Sequence, residues 1–220
     1  MKKTKNNKKL LDAIDLSKVY EPIDAIKILK NNMYTKFNET LEVAINLGID
    51  PNKTDQGIRG VTSLPKGTGK SVKVAVLTKG DKQKEAKDAG ADLVGDNDII
   101  ELISSGKISF DLLIASPDMM PSVGKVAKIL GPKGLMPNPK LGTVTTDIKK
   151  AVKDIKTGLV EIRNDKDGNL ASTIGRKSFS SEKLLENYNH FVESVKKEKP
   201  DTIKGEFIKN IFLTSTMGIS

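Results

Sequence analysis

Apolar residues alternate with polar ones in some stretches of this chain and recur every three to four residues in others, and the changes of period divide it into three. In the first stretch, to about residue 66, Glu21-Pro22 opens a short helix with proline in its first turn and Ile23, Ile26 and Leu29 along one side. Leu41, Val43, Ile45 and Leu47 then alternate with Glu42, Ala44 and Asn46, the pattern of a strand with one buried face. Asp50-Pro51-Asn52-Lys53 is turn chemistry, and 58–64 reads as a second strand, so the stretch predicts a helix followed by a hairpin.

The middle stretch, 67–157, has a different rhythm. Val72-Lys73-Val74-Ala75-Val76-Leu77 is nearly continuous in apolar character, as a strand covered on both faces would be. A charged helix is expected at 81–89, a short strand at 92–94, and a helix capped by Asn97 and carrying Ile99, Ile100, Leu102 and Ile103. Residues 110–115 form another buried-type strand. Strand, helix, strand, helix and strand at this spacing predict a small sheet with parallel crossovers, a three-layer Rossmann-like α/β unit.

The last stretch repeats the first. Strands are expected at 159–163 and 170–174 around Asp165-Lys166-Asp167-Gly168, whose Asp-Gly step favours a tight hairpin turn. Ser181 is positioned to cap a long helix in which Leu184, Leu185, Tyr188, Phe191, Val192 and Val195 form one stripe, and 207–213 is a final strand. Each outer stretch is about 65 residues, a size at which an independent core is marginal. Both have one-sided apolar patterns in need of a partner. The economical arrangement is a discontinuous two-domain protein: a sandwich-like α+β domain from 1–66 and 158–220, with the α/β domain 67–157 inserted. Gly67, Gly69 and Gly158 mark the two crossings as a hinge.

Composition sharpens this picture by exclusion. The 37 basic against 28 acidic residues give +9 and favour a polyanionic partner. The absence of cysteine removes disulfides, thiolate metal sites and cysteine nucleophiles. No apolar run reaches the ~20 residues of a membrane span, and the basic start, Met1-Lys2-Lys3-Thr4-Lys5-Asn6-Asn7-Lys8-Lys9, is not followed by the apolar core of a secretory signal. That start reads as a solvated basic arm or an RNA-binding tail.

Candidate catalytic groups do not assemble into a site. Gly69-Lys70-Ser71 lacks the glycine a phosphate loop needs, since Leu64 stands there, and it leads into a strand rather than a helix. His190, the one histidine, falls off the apolar stripe of its helix and is expected to face solvent, with no zinc or triad partners beside it. Asp92, Asp96, Asp98 and Glu101 have the chemistry of a magnesium site but are better explained by a helix start that favours acidic residues. No cofactor is expected.

Charge alone does not separate the parts, at +5 for the outer stretches and +4 for the middle. The kind of base does. Arg59, Arg163 and Arg176 all lie in the outer stretches, and arginine's fork gives two-point contacts that lysine lacks. The middle offers Gly131-Pro132-Lys133-Gly134-Leu135-Met136-Pro137-Asn138-Pro139-Lys140. This loop is suited either to pressing N–H groups and lysines on phosphates or to forming a structural Ω-like turn.

That same ten-residue loop resembles the signature of the large-subunit ribosomal protein one family, the mobile-stalk proteins, in its bacterial type. Further matching segments follow in order along nearly the whole chain: Lys36-Phe37-Asn38-Glu39-Thr40, Ile58-Arg59-Gly60, Leu64-Pro65-Lys66-Gly67-Thr68-Gly69-Lys70, Ile174-Gly175 and Ser215-Thr216-Met217-Gly218. Lys66 departs from the histidine usual in bacterial members. The resemblance implies a non-enzymatic ribosomal protein in the cytoplasm, monomeric when free. It would bind large-subunit ribosomal RNA with its composite domain, contact the exit-site tRNA and repress its own operon mRNA.

It also implies an RNA site of Lys36, Phe37, Thr40, Gly175, Arg176, Thr216, Met217 and Gly218, with Lys133 and Lys140 as secondary RNA or tRNA contacts and Glu39 as an orienting group. The residue pattern disagrees at one point. Phe37 shares parity with Leu41 and Val43 and so reads as core, whereas the resemblance makes it a surface aromatic. Two other readings stand beside this one. An enzyme acting on a phosphorylated small molecule through the α/β unit would show turnover; a protein-binding adaptor would bind regardless of RNA and salt.

Overall fold

The computed structural model describes residues 14–15, 18–50, 53–80, 82–106, 108–203 and 205–220. The basic run at 1–9, the Pro51-Asn52 centre of the expected turn and the Asp81 start of the expected helix lie outside them. In chain order the elements are α1 (Pro22–Asn31), β1 (Thr40–Leu47), β2 (Arg59–Ser63), β3 (Val74–Leu77), α2 (Lys82–Asp88), β4 (Leu93–Gly95), α3 (Asn97–Ser104) and β5 (Leu112–Ala115). They continue with α4 (Met120–Lys125), α5 (Ala127–Leu130), α6 (Ile148–Gly158), β6 (Leu159–Arg163), β7 (Asn169–Arg176), α7 (Ser181–Lys197) and β8 (Ile208–Ser215). The chain divides into two compact units, one running up to Gly69 and resuming at Val160–Ser220, the other Lys70–Leu159.

In the terminal unit β1 is the centre of an antiparallel sheet ordered β7-β1-β8. Its alternation is realised residue by residue: Leu41, Val43, Ile45 and Leu47 are buried, in one core with Ile26 and Leu29 of α1 and Leu184, Phe191 and Val195 of α7. The two expected hairpins are not what forms. Strand β2 pairs with β6 in a separate two-stranded sheet, and β6 meets β7 only through the single bridge Asn164↔Leu170. Alternation fixes which face of a strand is buried but not which edges it meets. Pairing with two eight-residue strands, β7 and β8, satisfies both edges of β1 along its length, which the five-residue β2 would not.

The inserted unit is a parallel sheet ordered β4-β3-β5 with helices on both faces. Every position of β3 is buried. Ala75 and Leu77 face a core with Ile99 and Ile103 of α3, Val123 of α4 and Leu130 of α5. Val74 and Val76 face the other way, onto Ala86 of α2 and Ile148, Val152 and Ile155 of α6. These are the three layers of a Rossmann-like unit. Helix α6 occupies the stretch expected to supply the exit linker, and it ends at Gly158 directly before β6.

Three local expectations are corrected. Ser180, not Ser181, caps α7, its hydroxyl accepting the Lys183 N–H at 3.4 Å. Asp96 rather than Asn97 precedes α3. His190 is half-buried instead of facing solvent, its Nδ1 3.4 Å from the Thr62 hydroxyl, because β2 lies over the polar side of α7 and Thr62 also meets Ser194 at 2.8 Å.

Candidate nucleic-acid interface

Antiparallel pairing brings the start of β1 and the ends of β7 and β8 to one end of the sheet, with Thr40 opposite Arg176 and Leu41 opposite Ser215. Just past β8, Thr216 holds both backbone groups of Thr40. Its hydroxyl accepts the Thr40 N–H at 3.0 Å, and its own N–H donates to the Thr40 carbonyl at 3.2 Å. Strands β1 and β8 are thereby fixed together where the sheet ends.

Glu39 is the hub of this end. It is fully buried. Its Oε1 accepts the Thr35 hydroxyl at 2.5 Å and its Oε2 the Met217 N–H at 3.4 Å. Burial by itself would push the carboxyl up, but hydrogen bonds from the Thr35 and Ser215 side chains and from the Met217 and Thr35 backbone outweigh it and hold Glu39 below its ordinary 4.5. An anion so enclosed orders the two loops around it and is not offered to a phosphate.

Those loops present the candidate contact residues. Phe37 is 52% exposed and Met217 50% exposed, large apolar side chains standing on a polar end. The parity argument for a buried Phe37 fails because β1 begins at Thr40: residues 36 and 37 form a bend, to which strand alternation does not extend. Lys36 is exposed beside it and Arg176 half-exposed. Asn38 exchanges two hydrogen bonds with Ser178, both 3.1 Å. Lys177 Nζ donates to the carbonyls of Met33 and Thr35, Lys30 Nζ to that of Phe179, and the Tyr34 hydroxyl to that of Met217 at 3.3 Å. Nothing in the sequence distinguishes Lys30 and Lys177 from the other lysines, whereas Asn38 and Ser215 sit within the matching segments.

Two glycines are required here by packing. At Gly175, on the β7 bulge opposite Leu41, φ is +156° and an added Cβ would lie 2.6 Å from the Leu184 side chain. At Gly218 a Cβ would lie 2.3 Å from the Ser215 hydroxyl that serves Glu39. Gly218 thus permits close approach within the protein itself.

The remaining sequence candidates lie elsewhere. Lys133 and Lys140 are exposed in the inserted unit, on a loop braced by Asn138, whose N–H reaches the Thr143 hydroxyl at 2.7 Å and whose side chain accepts the Lys140 N–H at 2.9 Å. Gly67 and Gly69 are held by the terminal unit. Asn187 donates to the Gly67 carbonyl at 3.0 Å and to Ile174 at 2.8 Å, and a Cβ on Gly69 would meet the Phe179 ring at 3.0 Å. Lys70, from the rejected phosphate loop, pairs with Asp111 at 3.2 Å. Asp92 accepts the Val74 N–H at 2.9 Å and pairs with Lys156, and no cluster of three metal-ligating side chains occurs among the described residues. Nor is any helix among them long and apolar enough to cross a membrane.

Comparison with known proteins identifies the family. The profile of the ribosomal protein L1p/L10e family matches residues 29–219. The chain is 52% identical to large ribosomal subunit protein uL1 of Rickettsia akari over 99% of its own length and 92% of that protein's. It is 49% identical to uL1 of Thermobifida fusca over 99% and 93%, and 52% identical to uL1 of Pasteurella multocida over 99% and 95%.

Proposed function

This chain belongs to the ribosomal protein L1p/L10e family and is a non-enzymatic constituent of the large ribosomal subunit; from that premise we propose that the sheet end built around Glu39 grips a folded segment of large-subunit ribosomal RNA. The observation that carries the reading is the pair of half-exposed apolar side chains, Phe37 and Met217, held on a hydrogen-bonded backbone clamp. Such groups suit stacking on bases and packing on sugars, while Lys36 and Arg176 supply phosphate attraction. Thr40 and Thr216 tie the clamp, and Gly175 and Gly218 let it close.

In the same reading the protein forms the mobile lateral stalk and assists release of deacylated tRNA from the exit site, with Lys133 and Lys140 as secondary contacts. It also represses translation of its own operon mRNA, through the surface that takes the ribosomal RNA. Gly67, Gly69 and Gly158 are the proposed hinge. Since Gly67 and Gly69 are held by their own unit, the pivot of the first crossing is expected to follow Gly69.

The test compares affinity for a ribosomal stalk RNA and for an unrelated hairpin across salt concentrations. Specific readout predicts a preference that persists at high salt; equal binding that vanishes with salt would leave only a basic surface. Phe37→Ala should weaken stalk binding by about 1–3 kcal/mol, the worth of one base–aromatic stack, at unchanged melting temperature. Loss confined to Lys133 and Lys140 variants would move the site to the inserted unit.

A further inference from the structure

The chain has no cysteine, so the thioethers of its six methionines are its only sulfur. Five of the six lie among the described residues. Met33 and Met119 are 7% and 0% exposed, each inside a core, and Met120 is half-buried. Met136 and Met217 are 42% and 50% exposed. Exposure governs the access of an oxidant to sulfur, so these two react first. They differ in their surroundings. Met136 belongs to the inserted unit, outside the clamp. Met217 stands on the clamp with its backbone held on both sides. Its N–H donates to Glu39 Oε2 at 3.4 Å and its carbonyl accepts the Tyr34 hydroxyl at 3.3 Å. The next residue, Gly218, closes a turn by donating its N–H to the Ser215 carbonyl at 3.2 Å. With the backbone fixed, a change at the Met217 sulfur has to be met by whatever docks there.

We propose that Met217 is a site of reversible oxidation by hydroperoxides, and that its sulfoxide loosens the hold of the sheet end on RNA; this regulation rests on the function proposed above. The sulfur lone pair attacks one peroxide oxygen, and an S–O bond forms as the O–O bond breaks. The proton on the transferred oxygen passes to the departing hydroxide, which leaves as water. Sulfur loses two electrons and the peroxide gains them. The product puts a polar acceptor on a side chain whose use was apolar, and docking then strips that oxygen of water. The polar groups bonded to the Met217 backbone offer it no donor, since Glu39 is an acceptor and the Tyr34 hydroxyl already donates to the carbonyl. RNA phosphates repel it as well. RNA already seated covers the sulfur, so the modification falls on the free chain and spares the bound one. Methionine sulfoxide reductase reverses it, two thiols giving a disulfide and water as the thioether returns.

The experiment treats the full chain with hydrogen peroxide, maps the added oxygens by peptide mass, and measures affinity for a stalk RNA at fixed salt. The oxidised native chain should bind about tenfold more weakly at an unchanged melting temperature, and methionine sulfoxide reductase should restore it. Each variant is judged against its own untreated affinity. M136L should lose as much on oxidation as the native chain, and M217L should lose nothing. Stalk RNA bound beforehand should slow oxidation at Met217 and leave Met136 reacting at its free rate. The proposal is overturned if Met217 stays reduced while Met136 oxidises, or if its sulfoxide leaves affinity unchanged. Equal weakening of M217L and the native chain overturns it too, as does RNA that protects neither methionine. An untreated chain with no preference for stalk RNA over an unrelated hairpin would instead defeat the underlying reading, which keeps the two failures apart.

Discussion

Glu39 is the residue on which the sheet end depends, and its charge makes that dependence visible in acid. Its carboxyl is held below 4.5 in the folded chain, so the fold favours the ionised form. The corresponding stability is complete above 4.5 and is lost as pH falls through the lower folded value. Glu39→Gln should cost about 1–3 kcal/mol near neutrality and flatten the fall of stability below 4.5, read from denaturant midpoints across pH. Gly175→Ala is expected to destabilise by about 1–3 kcal/mol, because the Leu184 side chain occupies the space and β7 must give way. Residues of this kind were partly legible in advance. Through the resemblance, the sequence marks Glu39 as an orienting group and puts Thr40 and Thr216 in one site, though not in contact. Parity alone puts Phe37 in the core, by reaching three residues beyond the strand, whereas the resemblance puts it at the surface, where it stands; neither gives a sign of Lys30 or Lys177, whose roles arise only from which carbonyls the fold brings near.

Among the elements, those with strong periodicity emerged within a few residues of their expected bounds: β6 at Leu159–Arg163, α7 with its apolar stripe buried, and β3 buried on both faces. Helix α6 was readable and unread, since Ile148, Val152 and Ile155 repeat at helical spacing across its lysines. Pairing was less legible, because a hairpin turn at Asp165 says where the chain reverses and not which strand each arm joins. Caps are a matter of one residue, and here the distinction is measurable. Ser180→Ala should lower stability by about 1 kcal/mol, while Ser181→Ala, already inside the helix, should stay within about 0.5 kcal/mol in the same chemical denaturation series.

For the whole molecule, the composite unit carries all three arginines and every member of the candidate clamp. A chain in which a short linker replaces 70–159 should therefore keep its preference for stalk RNA at high salt, measured against an unrelated hairpin. Selective binding by the isolated insert, with none by the joined termini, would refute the site assignment.

Thr40 and Thr216 are 176 residues apart, and β1 finds both its neighbours only in the last quarter of the chain. On a translating ribosome that interval lasts about 10–30 s, during which β1 waits with both edges bare while the insert, built from local pairings, is free to fold first. On the proposed function, competence to hold RNA therefore waits for β7 and β8 to emerge. A copy cut short before β7 would carry the insert but leave both edges of β1 bare, and on the same proposal would have no grip.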